Sequence, residues 1–285
     1  MNAGPIDLDE LRTWIGRTET RTDVATAAPY AALSATLDRE DAAPANGTTL
    51  PPLWHWLYFL PLAPMSDVGA DGHPKRGGFL PPVPLPRRMF AGGRFQFHHA
   101  LKIGQTMTRT SRITDVSGKQ GRSGTLVFVT VRHELANAAG VALSEEHDIV
   151  YREHPRADAP APQPTPAPQG ETFSREITPD PVLLFRYSAL TFNSHRIHYD
   201  RPYVTEVEGY PGLIVHGPLI ATLLTDLLRR NLPEANIGNF SFRALRPLFD
   251  IHRFTVCGRV DAKRVALWTR DHEGCLSMEA SAELT

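Results

Sequence analysis

The run Ser188-Ala-Leu-Thr-Phe-Asn-Ser-His-Arg-Ile-His-Tyr-Asp200 is followed by Gly209-Tyr-Pro-Gly-Leu-Ile-Val-His-Gly-Pro-Leu219 and then by a long apolar segment. Histidine is the side chain that moves protons near neutral pH. The first backbone N–H groups of a helix can hold a developing negative charge. An imidazole beside a helix N-terminus therefore suits proton transfer on a carbonyl compound. His195, His198 and His216 are the titratable candidates, and Gly217, at the expected helix start, would let a ligand come close to the N–H groups.

That helix is expected from about Pro218, because Leu219, Ile220, Leu223, Leu224, Leu227 and Leu228 recur as pairs every four positions and bury one wide face. Pro218 fits the first turn, where its missing N–H is no loss. Arg229 and Arg230 suit the negative C-terminal end, and Pro233 stops the helix. Stretches 254–260, 265–269 and 276–284 then alternate as strands do, with Asp271-His-Glu-Gly274 as a hairpin turn. A central apolar helix followed by antiparallel strands implies an α+β fold in which a sheet wraps around a helix.

The order of features occurs twice. Residues 22–37 read as a capped helix, as do 178–190, and the stretch from Arg94-Phe-Gln-Phe97 parallels that from Asn239-Phe-Ser-Phe242. Strands at 125–134 and 141–151 follow in the first half. Between the halves, 154–170 is rich in proline with almost nothing to bury, and reads as an extended linker. The expected organisation is a first domain over 1–153, the linker, and a second domain over 171–285. Segment 67–93 has no counterpart in the second half. A loop this long is functional or a solvated insertion. It carries Lys75, Arg76, Arg87 and Arg88.

With 285 residues and 41% hydrophobic side chains, the chain can give each of two domains a core. Lys+Arg 30 against Asp+Glu 31 leaves a net charge of −1, without the long-range attraction that nucleic-acid or membrane-surface binding needs. Neither kind of partner is expected. The first ten residues carry no basic segment leading into an apolar run, the longest apolar segment is shorter than the ~20 residues of a membrane span, and Cys257 and Cys275 form no CxxC pair. A soluble cytoplasmic protein is expected.

Asn193-Ser-His-Arg-Ile-His198, followed by Val215-His216-Gly217 opening a helix, resembles the MaoC-type hot-dog hydratases and dehydratases. Within them the chain is most similar to the type 2 hydroxyacyl-thioester dehydratases and to the mesaconyl-CoA and itaconyl-CoA hydratases. The first-half loop Gly77-Gly-Phe-Leu-Pro-Pro-Val-Pro-Leu-Pro-Arg-Arg88 looks like the same branch. The resemblance implies a double hot-dog, with two antiparallel sheets each wrapped around a central helix, and a homodimer. It also implies an acyl-CoA substrate, with no cofactor besides the coenzyme A of that substrate. His198 matches the family's catalytic histidine. Asn193 stands where the family has its acidic residue, and His195 where it usually has asparagine.

For hydration of an enoyl thioester, His198 would be the base, Asn193 would orient the water without taking its proton, and N–H groups around Gly217 would hold the oxyanion. Arg87, Arg88, Lys75 and Arg76 are candidates for coenzyme A phosphates or a substrate carboxylate, with plain surface charge as the alternative. Arg196 is a further candidate, being able to bind a carboxylate bidentately. His195 would line the site or face solvent, and His216 would cap the helix. No metal is expected, since His195, His198 and His216 lack an acidic or cysteine partner to complete a usual zinc set. The first half has no histidine at the place equivalent to His198 and is expected to shape the acyl pocket without donating a catalytic group. A short branched dicarboxylic substrate is expected. The alternatives are a 3-hydroxyacyl thioester dehydratase of fatty acid synthesis, a hot-dog thioesterase and a non-catalytic acyl-CoA-binding protein.

Overall fold

The computed structural model describes residues 6–121, 124–153 and 163–285. The first half contains α1 (Leu8–Arg12), β1 (Thr18–Val24), α2 (Ala27–Thr36), β2 (Arg87–Phe97), β3 (Thr106–Gly121), β4 (Gly124–Asn137) and β5 (Gly140–Arg152). The second contains β6 (Phe173–Ile177), α3 (Pro181–Thr191), α4 (Gly217–Asn231), β7 (Ile237–Ala244), β8 (Phe254–Asp261), β9 (Arg264–Arg270) and β10 (Leu276–Leu284). The helix expected at 22–37 is shorter, because residues 22–24 belong to β1 and Thr26 precedes the first turn.

The two sheets join edge to edge into ten antiparallel strands in the order β1-β3-β4-β5-β2-β7-β10-β9-β8-β6. Read outward from the β2–β7 pair, each half repeats the other's strand order. The duplication legible in the sequence is thus a pseudo-twofold in space. The two echoing stretches meet on its axis, where Phe95 pairs with Phe240 and Gln96 with Asn239. Gly92 is required there, since a Cβ would stand 2.6 Å from the carbonyl oxygen of Phe242.

The halves differ inside. In the second, α4 is buried at every position from Leu219 to Leu228, not on one face only. The sheet strands cover one side, and Tyr30, Leu33 and Trp54 of the first half join the same apolar cluster. Asp226 on this helix is buried and neutralised by Arg39 (2.8 Å), Arg175 (3.2 Å) and Arg230 (2.7 Å), while Arg229 pairs with Asp41 at 2.8 Å. The two arginines at the helix end therefore tie the halves together besides meeting the helix dipole.

In the first half a short 3-10 turn, Trp54–Leu57, occupies the place in the chain order that α4 holds in the second. Beneath it the sheet carries a polar knot. Glu145 is buried and accepts hydrogen bonds from His55 Nε2 (2.9 Å) and Trp56 Nε1 (3.3 Å), with His147 Nε2 at 3.3 Å.

Residues 154–162 of the expected linker lie outside the described residues. Its remainder adds to the sheet's end: Ala167 donates to Gly274, Leu276 donates to Thr165, and Ala167 is buried beside Trp268. Asp271-His-Glu-Gly274 forms the expected hairpin turn, with Gly274 at φ 81° and Asp271 Oδ1 accepting from Glu273 and Cys275 N–H. Cys257 and Cys275 are free thiols. Among the described residues no helix is long and apolar enough to cross a membrane.

Candidate active site

Asp180 starts α3 by accepting the Leu183 N–H at 2.9 Å, and Phe192 ends it in the left-handed region at φ 49°. The chain then turns back through the 3-10 turn Arg196–His198, which buries His198. Its Nδ1 lies 2.7 Å from the carbonyl oxygen of Ile214. A carbonyl only accepts, so Nδ1 carries the proton and Nε2 presents a lone pair. His216 stacks on this ring at 3.7 Å between centroids, and its own Nε2 lies 2.8 Å from Ser188 Oγ. Burial, first, holds His198 down to about 4 against the opposing Ile214 contact, and burial followed by the repulsion of His198 lowers His216. Both rings are neutral at pH 7.

His216 is also the residue before α4. The first N–H groups of a helix have no partner inside it. Pro218 has none to offer, so Gly217 and Leu219 are the N–H groups at this end that lack a partner inside the helix, and none is found for them among the described residues. A base and an anion-holding helix terminus are thereby neighbours, as the residue types suggested.

A second group comes from the first half. Residues 67–75 form a tight loop closed by Gly69 N–H to His73 O (2.7 Å) and Lys75 N–H to Asp67 O (2.7 Å). It docks on the histidine segment through Arg196 N–H to Asp71 O (2.9 Å), Arg196 Nη1 to Ala70 O (3.0 Å) and Ser194 Oγ to Gly72 O (2.5 Å). Gly72, at φ 88°, leaves no room for a side chain, since a Cβ would fall 1.8 Å from the Ser194 oxygen. The docking sets the His73 ring 3.9 Å from His195, whose ring is in turn 5.5 Å from His198. Asp71 Oδ2 lies 3.1 Å from His73 Nδ1. His195 is held down to about 2, by burial first and then by repulsion from His73 and His198.

The family model for hydroxyacyl-thioester dehydratase type 2 matches residues 53–250, which include both the loop and the histidine segment. The chain belongs to the type 2 hydroxyacyl-thioester dehydratase family. It is 50% identical over 272 residues to mesaconyl-C(4)-CoA hydratase of Chloroflexus aurantiacus, covering 95% of this chain and 96% of that protein. In three dimensions it is similar to a MaoC-like dehydratase from Phytophthora capsici, with a TM-score of 0.69 at 14% identity and 98% of each chain covered. A conserved hypothetical protein of Mycobacterium tuberculosis, described as a double hotdog, matches with a TM-score of 0.54 at 14% identity over 100% of each chain. The double hot-dog architecture is therefore shared.

Asn193 holds the position where the MaoC-type resemblance implies an acidic residue. Its Oδ1 accepts the His195 N–H at 3.0 Å, so it shapes the turn that presents the histidines. The cationic candidates separate. Arg88 lies on β2 opposite Tyr151, bonds to its hydroxyl, and its charge adds a smaller contribution to the burial that lowers His73 and His195. Arg87 pairs with Glu208 at 3.2 Å and donates to Tyr210 Oη at 2.9 Å. Arg76 donates to the carbonyls of Val83 and Pro86, and Lys75 to that of Ser66. Arg196 pairs with Asp200 at 2.7 Å and lies over the Tyr203 ring. Of the five, Arg196 lies in the histidine segment and Arg88 acts on both His73 and His195; Arg76 also acts on His73 while bracing the loop, as Lys75 and Arg87 brace the loop and its junction.

Asp71, His73 and Ser188 were not among the residues singled out from the sequence. Ser188 carried no signal of its own in the sequence. Asp71-Gly-His73 was legible as an ionisable pair inside the one long loop without a counterpart. Among the described residues, Asp71, His73 and His195 each place a potential metal ligand within 4.8 Å of the others, as do His133, Glu145 and His147.

Proposed function

We propose that the protein is a hydro-lyase that reversibly hydrates a short branched dicarboxylic enoyl-CoA of the mesaconyl-CoA type. The observation that carries the reaction is the bond from His198 Nδ1–H to the Ile214 carbonyl, which leaves a neutral, basic Nε2 beside the free N–H groups of Gly217 and Leu219. In the hydration direction His198 takes a proton from water while the water oxygen bonds to the β-carbon. The π pair moves toward the α-carbon and the thioester oxygen, where the helix N–H groups hold the charge. A proton then reaches the α-carbon.

The substrate class rests on the similarity to mesaconyl-C(4)-CoA hydratase along nearly the whole of both chains. Arg88 supplies the cation that a free substrate carboxylate requires. We also propose a cytoplasmic homodimer. The free thiols support the compartment, and the exposed Val182, Phe185 and Phe192 along and just past α3 support an apolar contact between copies.

A panel of straight, branched and dicarboxylic enoyl-CoAs tests this, with free thiol followed alongside 3-hydroxyacyl product. Product is expected with mesaconyl-CoA preferred, and His198→Ala is expected to remove nearly all turnover while acyl-CoA binding persists. Thiol release without hydroxyacyl product would make the protein a thioesterase, and binding without turnover would make it a carrier. A monomeric mass by light scattering would reject the dimer.

A further inference from the structure

Hydration needs two proton transfers, one from water and one to the α-carbon. Position 193, where the MaoC-type resemblance implies a carboxylate, holds Asn193, an amide that neither accepts nor delivers a proton in this range and whose Oδ1 is occupied by the His195 N–H. A carboxylate nevertheless reaches the histidine row from the other half. Asp71 receives the His73 N–H (3.0 Å) on Oδ1 and His73 Nδ1 (3.1 Å) on Oδ2, so both its oxygens serve His73. The loop carrying the pair is fixed by the three cross-half hydrogen bonds and the Gly72 contact described above. Asp200, the other carboxylate beside this segment, is committed to Arg196 at 2.9 and 2.7 Å.

We propose that the Asp71–His73 pair is the second proton-carrying group of the site, with His73 as a catalytic residue at the substrate's α-carbon and Asp71 as the residue that positions it. This rests on the hydratase reading. His198 releases the proton it takes from water to solvent, and His73, whose side chain keeps 20% exposure, takes one up from solvent. The resulting imidazolium is stabilised by Asp71 and gives its proton to the α-carbon as the enolate pair forms the C–H bond. Water adds across the double bond, and every imidazole begins and ends neutral. Dehydration runs the same steps backwards, with neutral His73 removing the α-hydrogen and His198 giving a proton to the departing hydroxyl. Burial, first, keeps His73 low despite the carboxylate, while Asp71 stays ionised because the His73 hydrogen bonds outweigh the opposing effect of burial. The first half, expected only to shape the pocket, would then donate a catalytic group.

The test compares wild type, His73→Gln, Asp71→Asn and His73→Gln/Asn193→Asp in mesaconyl-CoA hydration, with kcat, KM and thermal unfolding measured for each. His73→Gln is expected to lower kcat roughly 10²–10⁴-fold, the usual reach of general acid–base catalysis, with KM little changed. Asp71→Asn is expected to lower kcat as well. Restoring a carboxylate at 193 should return at least about tenfold of the lost rate, because a proton-carrying group then stands in the histidine segment itself, at the position where the MaoC-type resemblance implies one. A kcat loss that Asn193→Asp partly restores supports the pair. A His73→Gln enzyme at near wild-type kcat, or a loss without rescue, overturns it. If His73→Gln does not fold, the same rule applies to Asp71→Asn with and without Asn193→Asp. A wild type inactive on every enoyl-CoA would instead remove the hydratase reading beneath it.

Discussion

His198 and His216 lie face to face, their ring centroids 3.7 Å apart and their planes 19° from parallel, and neither is a charged partner for the other. Such a stack favours the neutral form of both rings, because a proton on either puts a buried cation against a neighbour that does not compensate it, and a proton taken up in the reaction is soon given away. A base held at about 4 is ready at every pH where coenzyme A esters are handled. For kcat/KM of hydration we expect a plateau through neutral pH and an acid limb near pH 4, well below the limb of an ordinary histidine at about 6.5. An acid limb near 6.5 would mean that another histidine is the base.

The same depression makes the fold acid-sensitive. Unfolded histidine binds its proton below about pH 6.5, whereas folded His198 does not until about 4. The unfolded state therefore holds more protons in that window, and stability falls as pH is lowered through it. His198 alone contributes at most about 3 kcal/mol of this slope, and the partly buried His133, held down to about 3, adds to it. Guanidinium unfolding at pH 7, 6, 5 and 4 should show the decline, and His198→Gln should flatten it. An unfolding free energy independent of pH from 7 to 4 would contradict these depressed values.

Much of this was legible because it repeats. The pairs of leucines in α4 and the phenylalanines that meet as Phe95 and Phe240 are periodic, and periodicity is what a sequence displays. Strand β1 was not, since Thr18-Glu-Thr-Arg-Thr-Asp-Val24 lies at the end of the sheet and is mostly exposed, with no apolar face to alternate. The docking of Gly72 on Ser194 was equally hidden. It joins residues more than a hundred positions apart through a serine hydroxyl on the Gly72 carbonyl and the close approach of the Ser194 carbonyl to the Gly72 Cα, and a serine and a glycine carry no periodic signal. For the same reason His198 could be found from its local motif, while Asp71 and His73 could not be assigned to it.

Arg87 and Arg88 are neighbours in sequence and should behave differently. Arg87 forms a mostly buried pair with Glu208, so Arg87→Ala leaves a carboxylate without its partner and should cost about 3–5 kcal/mol of stability. Arg88 should act on substrate: Arg88→Ala is expected to raise KM for mesaconyl-CoA about 10–100-fold, as expected for one lost charge-assisted contact. Its effect on crotonyl-CoA, which has no free carboxylate, should be small. Melting temperatures and a two-substrate KM comparison decide the matter, and equal KM effects on both substrates would assign Arg88 to the coenzyme A portion instead.

Gly217 separates the needs of the fold from those of the reaction. A methyl group there would stand 3.9 Å from the Phe90 carbonyl oxygen, an ordinary contact, and the position is inside the first turn of α4, where alanine is a better helix former than glycine. Gly217→Ala should therefore melt no lower than wild type. An oxyanion, however, must come within 2.7–3.1 Å of its N–H donors to be held, and a displacement of about 1 Å can lose about 10²-fold in rate. We expect kcat to fall by more than about tenfold while thermal stability is kept. Alanine keeps the N–H, so a Gly217→Ala enzyme with full kcat would mean that the oxyanion does not approach the 217 Cα closely and that the glycine serves the helix start, not the close approach of substrate.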